Sequence, residues 1–280
     1  MSPEHAPIGI FDSGVGGLTV AREFFKLLPQ EDVVYFGDVG RYPYGGRSKE
    51  IIAQFTRQDI AFLLEHQVKF IICACNSASS TALDVVRPEF DVDMIGVIEP
   101  GAVAAVQRTK NGRVGVIGTH ATIGSDAYAK MIQERDSGIK VFSMACPLFV
   151  PLAEEGYIEK EATYLIAREY LQPMHDVGVD TLVLGCTHYP LLKDVIAKIM
   201  GDEVTLIDSG EETARVVRAQ LAEAGMLSPA ATAGSSASTR EQNGEHKFFV
   251  SDVPEKFSQV ATRFLGEIVD KITRVDISRY

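Results

Sequence analysis

The sequence predicts an α/β fold of two similar, pseudo-twofold related domains, each with a mainly parallel sheet flanked by helices, and a ligand site in the cleft between them. Short apolar runs alternate with amphipathic stretches along the chain, which is typical of parallel sheets covered by helices. Two of these runs also end in the same way, since Ile71 to Ala74 leads into Cys75 and Leu182 to Gly185 leads into Cys186.

The predicted strands are short apolar runs, and helical patterns lie between them. The first of these patterns places Leu18, Ala21, Phe25 and Leu28 on one face of a helix. Each strand should therefore be followed by a helix that packs on the sheet. The strands are predicted at Ile8 to Phe11, Val33 to Phe36, Lys69 to Ala74, Met94 to Val97, Val114 to Ile117, Val141 to Ser143, Thr181 to Gly185 and Val204 to Ile207.

Two breaks in the alternation suggest where the domains begin and end. They lie at Glu99-Pro100-Gly101 and near Asp208-Ser209-Gly210. The sequence therefore predicts one domain from residues 99–208, and another from residues 1–98 together with 209–280. Within the latter, Ser228 to His246 is rich in small and polar residues and is predicted to be a flexible insertion.

The composition is that of a globular protein without polyanionic or membrane partners. Of 280 residues, 46% are hydrophobic and 23% are charged, and the formal net charge is -11. Because a negative chain repels phosphate backbones and anionic lipids, we expect neither a nucleic-acid nor a membrane partner. No apolar run approaches the ~18 residues that span a bilayer, and the N-terminus lacks a signal pattern. We expect a cytoplasmic protein that acts on a small molecule.

The four cysteines are expected to be free thiols, because so few in a chain of this length do not make a disulfide framework in a reducing compartment. Cys73 and Cys75 have C-x-C spacing, but no second nearby Cys or His pair completes a tetrahedral zinc site, so no metal is predicted. Cys73 and Cys146 are interpreted as small buried hydrophobic residues. Cys75 and Cys186 differ because each follows a strand, at the sheet edge where ligands bind.

A ligand held between two thiols, one from each half of the chain, is an arrangement for moving protons on and off one carbon atom. A free thiol titrates near pH 8.5, and a helix N-terminus or a nearby cation lowers its pKa. If each sulfur approaches one face of the same carbon at about 3 to 3.5 Å, the sulfurs lie roughly 6 to 7 Å apart. The site must also provide N–H donors for the developing negative charge and exclude water.

A glycine-rich loop, Asp12 to Gly17, follows the first strand and begins the first helix. Glycines allow close approach of the backbone, and free N–H groups at a helix start favour an anion. The spacing is not the G-x-G-x-x-G dinucleotide pattern. A small carboxylate or amino-acid ligand fits better, with Asp12 facing an ammonium group and Ser13 facing a carboxylate.

Two further polar residues follow strands on the same predicted edge. Asp38 comes after the second strand and precedes a rigid turn, Arg41 to Gly46; it is either a capping residue of a well-formed loop or part of the site wall. His188 follows Cys186 closely enough to polarise the thiol or to relay a proton.

Six motifs in order resemble bacterial glutamate racemases, and the similarity extends over nearly the whole chain. Ser77 is often threonine in that family, and serine keeps the hydroxyl. The motifs are FDSGVGGL at Phe11 to Leu18, YPYGGRS at Tyr42 to Ser48, CACNSAS at Cys73 to Ser79, VIGTHATI at Val116 to Ile123, CPLFVPLAEEG at Cys146 to Gly156 and GCTHYP at Gly185 to Pro190.

The resemblance implies a cofactor-independent interconversion of L- and D-glutamate that supplies D-glutamate for peptidoglycan synthesis. It implies that Cys75 and Cys186 are the two proton donors and acceptors, the first acting on the D enantiomer and the second on the L enantiomer.

The resemblance also implies roles for the residues around the two thiols and an assembly. Asp12 and His188 would assist the two thiols, Asp38 and Glu154 would be further catalytic helpers, and the family's usual homodimer would be the assembly. The substrate contacts that it implies are Asp12, Ser13, Tyr44, Gly45, Asn76, Ser77, Thr119, Thr187 and His188.

Two alternatives remain open from the sequence. A racemase for aspartate or another amino acid would keep both cysteines and change the pocket walls, since one methylene is worth only about 1 to 3 kcal/mol. A non-catalytic amino-acid-binding protein would keep the fold, but binding requires neither thiol.

Overall fold

The computed structural model describes residues 3–229, 243–266, 269 and 271–280. Within them the chain forms two parallel sheets flanked by helices, which confirms the predicted α/β fold class. Most of the insertion predicted at Ser228 to His246 lies outside the described residues.

The two sheets share no strand, and every pair of neighbouring strands is parallel. The strands are β1 Ile8–Asp12, β2 Val33–Gly37, β3 Phe70–Cys73, β4 Met94–Gly96, β5 Arg113–Gly118, β6 Lys140–Ala145, β7 Thr181–Gly185, β8 Thr205–Asp208, β9 His246–Val250 and β10 Ile272–Arg274. The first sheet has the order β10-β9-β2-β1-β3-β4, and the second has the order β6-β5-β7-β8.

All eight predicted strands form, with ends that differ by a few residues at most. The central strands β1, β2, β3 and β7 are buried at every position, which explains why they appear in the sequence as continuous apolar runs. The sequence pattern does not predict β9 and β10. The first begins at the predicted end of the insertion, and the second is a three-residue edge strand.

Helices connect the strands and cover both faces of each sheet. Among the described residues, none of the helices combines the length and the apolar character that crossing a membrane requires. The helices are α1 Leu18–Leu27, α2 Lys49–Glu65, α3 Asn76–Thr81, α4 Leu83–Val86, α5 Ile98–Arg108, α6 His120–Gly124, α7 Ala127–Arg135, α8 Phe149–Glu154, α9 Glu161–Asp176, α10 Lys193–Met200, α11 Ser209–Glu223 and α12 Pro254–Leu265.

The topology brings the polar strand ends together at the middle of each sheet. β1 and β3 are neighbours in the first sheet, and β5 and β7 are neighbours in the second. Helix α11 packs against α1 and α5, and so joins the two halves. The two sheets lie on either side of the predicted domain boundaries, and the division of the chain into residues 1–98 plus 209–280 and residues 99–208 stays a prediction.

A buried ion pair lies at the opposite end of the first sheet from these strand ends. Lys69 Nζ lies 2.6 Å from Glu31 Oε2, and each side chain is only 1% exposed. Lys69 also donates to the carbonyl of Glu4, and the second oxygen of Glu31 accepts from the Ser228 amide at 2.6 Å. The pair and its two further hydrogen bonds therefore join four distant parts of the chain, and each charge depends on the other.

Lys69→Met should lower the free energy of unfolding by about 3 to 5 kcal/mol, because it leaves the Glu31 carboxylate buried without its cation. Urea denaturation at neutral pH measures the change. The double variant Lys69→Met/Glu31→Leu should recover most of the loss, since an apolar pair of similar volume removes the unpaired charge.

Lys26→Met is the matched control, because Lys26 pairs with Glu23 at the surface and is 61% exposed. Its cost should stay below about 1 kcal/mol. A loss at Lys69 no larger than that of the control would contradict the role assigned to the buried pair.

Candidate active site

Cys75 and Cys186 line one cavity between the two sheets. Cys75 lies two residues after β3 at the N-terminus of α3, and Cys186 directly follows β7. The two residues are only 5% and 6% exposed. The other residues that line the cavity are Ser13, Tyr42, Pro43, Tyr44, Gly45, Asn76, Ser77, Thr119, Val150, Thr187 and His188.

This cavity brings together most of the residues that the sequence indicates. Apart from the thiols, the predicted residues that line it are Ser13, Tyr44, Gly45, Asn76, Ser77, Thr119, Thr187 and His188. The remaining three lie behind this wall. Asp12 is at the end of β1, Glu154 contacts His188, and Asp38 contacts Tyr44. The roles of all these residues stay predictions.

The Cys75 sulfur lies in a buried, negatively charged environment. Its thiol donates to Ser13 Oγ at 3.5 Å, and the amides of Ala78 and Ser13 donate toward the sulfur. Burial, with the negative charge of Asp12 as the next cause, outweighs these donors and raises the pKa of Cys75 to about 12. Cys75 is therefore a protonated thiol at neutral pH.

Asp12, the last residue of β1, lies behind the cavity wall on the side of the first sheet. Its Oδ2 accepts a hydrogen bond from the Gly14 amide at 2.9 Å, and its Oδ1 has no hydrogen-bond partner among the described residues. Burial raises the pKa of Asp12, while the charge of His188 and the amides of Gly17, Gly14 and Ser13 act in the opposite direction. A buried carboxyl oxygen without a protein partner is suited to a cationic or hydrogen-bonding ligand group.

The second thiol has a different set of neighbours. Cys186 Sγ lies 3.8 Å from His188 Nδ1, and His188 Nε2 lies 2.9 Å from Glu154 Oε1. Burial disfavours charge on this imidazole, but its hydrogen bonds to Cys186 and Glu154 prevail and raise the pKa of His188 to about 10. A positive imidazolium therefore lies beside this sulfur at neutral pH.

Aromatic rings hold His188 from two sides. The Tyr42 ring stacks on the imidazole with a centroid distance of 6.2 Å, and Phe264 of α12 meets it edge-on at 5.1 Å. The Tyr42 hydroxyl also hydrogen-bonds to Glu154. The imidazole is thus fixed with one nitrogen toward the thiol and the other toward the carboxylate.

The glycine loop serves the contact between the two halves. A Cβ on Gly16 would overlap Thr187 Oγ1 and the ring of His188, and a Cβ on Gly17 would overlap Asp12. The Thr19 hydroxyl donates to the Thr187 carbonyl at 2.8 Å across the same contact. Close approach of the backbone, which the sequence indicates for a ligand, is used at Gly16 by the loop that follows β7.

A second interdomain contact forms the opposite wall. Ser77 Oγ and Thr119 Oγ1 are hydrogen-bonded at 2.9 Å, and a Cβ on Gly45 would crowd the Thr119 side chain. Thr119 also caps the N-terminus of α6 through the Thr122 amide. These side chains place two hydroxyl groups at the cavity on a rigid support.

Tyr128 is a site residue that the sequence analysis misses. Its hydroxyl donates to Asn76 Oδ1 at 2.8 Å, and the Asn76 Nδ2 amide has no hydrogen-bond partner among the described residues. Because Tyr128 holds the oxygen, the NH₂ group of Asn76 remains available to a ligand. Tyr128 lies in the first turn of α7, and no local motif marks it; only the tertiary fold brings it to Asn76.

Among the residues that the structure describes, no group of three His, Cys, Asp or Glu side chains is arranged to hold a metal ion. A neighbouring cavity on the other side of Tyr42 and Glu154 is lined by residues that include Val15, Val253 and Phe257, and neither thiol lines it.

A family model described as Asp/Glu/Hydantoin racemase matches residues 26–217, more than half of the chain. The chain belongs to this family. Among its members, a glutamate racemase from Geobacter metallireducens is 50% identical to the chain over 270 residues, which make up 96% of each protein. The resemblance drawn from the six motifs is confirmed.

Solved structures of the family have the same fold. A glutamate racemase isoform from Bacillus anthracis superimposes with a TM-score of 0.90 at 39% identity, and the match covers 98% of each chain. The glutamate racemase from Francisella tularensis in complex with D-glutamate superimposes with a TM-score of 0.88 at 38% identity, covering 99% of this chain and 100% of that one.

Alkylation of Cys75 by iodoacetamide should be slow at neutral pH and increase about tenfold per pH unit up to pH 10, because the reagent attacks only the thiolate. The pKa of this buried thiol, about 12, keeps the thiolate fraction small at neutral pH. Mass spectrometry of the Cys75 peptide after timed exposure gives the rate. Asp12→Asn should react faster at each pH, since it removes a negative charge beside the sulfur.

The urea-unfolded chain is the control for this measurement, because its thiols titrate near pH 8.5. A plateau in the native rate below pH 9 would contradict the protonated state assigned to Cys75.

Proposed function

We propose that the protein interconverts L- and D-glutamate without a cofactor, by proton transfer between the substrate Cα and two thiols, Cys75 and Cys186. It is thus an isomerase that acts on an amino acid. The observation that carries this proposal is that both thiols line one cavity, each at the end of a strand from a different sheet. The family membership and the glutamate racemases that the chain resembles support the substrate.

In the proposed reaction, one sulfur takes the Cα proton from one face and the other sulfur delivers a proton to the opposite face. Between the two transfers the substrate carries the charge of the broken C–H bond as an enediolate on its carboxylate. Removing a proton from L-glutamate is assigned to Cys186, and removing one from D-glutamate to Cys75. No atoms are gained or lost, so one turnover inverts the carbon and exchanges protons with the thiols.

The different neighbours of the two sulfurs suit this scheme. The imidazolium of His188 stabilises negative charge on Cys186 while that sulfur acts as the base, and Glu154 stabilises the imidazolium. Cys75 is protonated at neutral pH and is ready to donate. In this scheme the conversion of L-glutamate begins with Cys186 as the base and Cys75 as the donor, and one turnover leaves the proton on the other sulfur.

The polar walls of the cavity are assigned to substrate binding. The Asn76 amide and the hydroxyls of Ser77 and Thr119 are assigned to a substrate carboxylate, and the unpartnered oxygen of Asp12, behind the cavity wall, is assigned to the ammonium group. Ser13, Tyr44, Gly45, Thr187 and His188 complete the contacts. Because the cavity is narrow and buried, it also excludes water from the carbanion.

The proposal also includes the pathway, the assembly and the location of the enzyme. D-glutamate made in this way would serve peptidoglycan synthesis, and the enzyme would work as a homodimer in the cytoplasm.

Incubation with L-glutamate in heavy water should give both racemisation and deuterium at Cα, because the delivered proton comes from a thiol that has exchanged with solvent. Optical rotation and mass spectrometry follow the two events. Cys75→Ser and Cys186→Ser should each lower racemisation by at least about a thousandfold, since a hydroxyl is a far weaker acid and base than a thiol at neutral pH.

Cys146→Ser is the matched control, because Cys146 is a buried thiol that does not line the cavity. It should retain activity. Full racemisation by either the Cys75→Ser or the Cys186→Ser variant would contradict the two-thiol scheme. Faster exchange at Cα of aspartate than of glutamate would show that aspartate is the substrate.

Tyr128→Phe should raise KM for glutamate about tenfold with a smaller change in kcat. Loss of its hydroxyl releases the Asn76 amide, and a misplaced hydrogen bond to a charged substrate is worth about 1.5 kcal/mol or more. Steady-state kinetics with both enantiomers measure the split. Tyr164→Phe is the control, because within the described part of the chain the Tyr164 hydroxyl accepts a hydrogen bond from the exposed Lys198. An unchanged KM in Tyr128→Phe would show that Asn76 does not depend on it.

A further inference from the structure

A cluster of buried charged groups lies behind the cavity wall at Tyr44. Asp38, Asp59 and Tyr44 are each fully buried, and the partly buried Arg41 covers them. Arg41 Nε lies 2.6 Å from Asp38 Oδ2, and its Nη2 lies 3.0 Å from Asp59 Oδ1. The guanidinium stacks on the Phe55 ring, with its carbon 4.1 Å from the ring centroid. Two carboxyl groups thus share one cation away from solvent.

The single proton of the Tyr44 phenol limits how many of the two carboxyl groups, Asp38 and Asp59, can be ionised. The Tyr44 oxygen is hydrogen-bonded to Asp38 Oδ2 and also lies 2.9 Å from Asp59 Oδ2. A phenol has one proton to donate, so it can donate to only one of two carboxylates. The other carboxyl group must carry a proton and donate it to the phenol oxygen. Burial raises the pKa of Tyr44 as well, so the phenol does not supply a negative charge instead.

The contacts assign the proton to Asp59. Asp38 forms the shorter ion pair with Arg41, at 2.6 Å against 3.0 Å for Asp59, as expected for the carboxyl group that keeps its charge. Burial, and then the charge of Asp38, raises the pKa of Asp59 well above its usual value. Among the described residues, Asp12 and Cys73 also interact with Asp59, and neither is a cation.

We propose that Asp59 is held as a neutral acid and that, together with the ionised Asp38, it positions Tyr44 and the short turn Tyr44–Gly46 as a wall of the substrate cavity. Hydrogen bonds would then run in one direction, from Asp59 to Tyr44 to Asp38. Asp38 is in this assignment a positioning residue that acts through Tyr44. The role of this wall in substrate binding rests on the proposed racemase function. The protonation of Asp59 does not depend on that function.

The turn Tyr44–Gly46 contacts the second half of the chain directly. Gly45 follows Tyr44 in the turn and lies against Thr119, which is bonded to Ser77. A shift of the Tyr44 ring would therefore move the turn against Thr119 and change the space left for substrate. The thiols lie on other elements, so the effect should be on substrate binding.

The experiment compares Asp59→Asn with Asp38→Asn. An asparagine amide reproduces the neutral acid, because it can donate to the Tyr44 oxygen and accept from Arg41. Asp59→Asn should therefore keep kcat and KM for glutamate within about twofold. Asp38→Asn removes the charge that Arg41 and Tyr44 require, and should raise KM about tenfold with little change in kcat. Asp59→Leu should behave like Asp38→Asn.

Infrared spectroscopy tests the proton without reference to activity. At neutral pH in heavy water, the difference spectrum between the native protein and Asp59→Asn should contain the carbonyl band of one neutral carboxylic acid. Any contribution from Asp12 is common to both proteins and cancels. Absence of that band, or an Asp59→Asn variant that is as impaired as Asp38→Asn, would overturn the inference. Failure of the native protein to racemise glutamate would instead refute the proposed function, because the band does not depend on turnover.

Discussion

The site depends on the contact at which the backbone of Gly16, in one half of the chain, meets side chains of the other half. Gly16 lies against Thr187 and His188 so closely that a single methyl group would overlap both. The hydrogen bond from Thr19 to the Thr187 carbonyl closes the same contact. Because parallel sheets place their strand ends at one edge, bringing these two edges together is sufficient to direct the chain segments after β3 and β7 into one cavity.

Within that frame the two thiols are similar in position and different in electrostatics. Burial and a neighbouring carboxylate keep Cys75 protonated, whereas Cys186 lies beside an imidazolium that Glu154 sustains. The charges around the two sulfurs therefore differ although the sulfurs occupy similar positions after their strands. In the proposed reaction this difference distinguishes the two thiols.

Much of this arrangement could be predicted from the sequence, because strand ends are local features. An apolar run followed by a polar turn is enough to place Cys75 and Cys186 at sheet edges. The sequence predicts close approach of another group to the backbone at Gly16. It does not predict that this group is Thr187 and His188 of the other half of the chain. Tyr128 and Asp59 could not be found, because each lies on an ordinary helix and gains its role from a partner distant in sequence.

The clamped imidazole of His188 has a consequence for how charge moves through the site. A half-turn of the ring would bring carbon atoms opposite the sulfur and the carboxylate, and the rings of Tyr42 and Phe264 obstruct that rotation. Thiol, imidazole and Glu154 consequently remain connected in series. A change of charge at the sulfur therefore acts on the carboxylate through contacts that already exist, and the ring need not turn to transmit it.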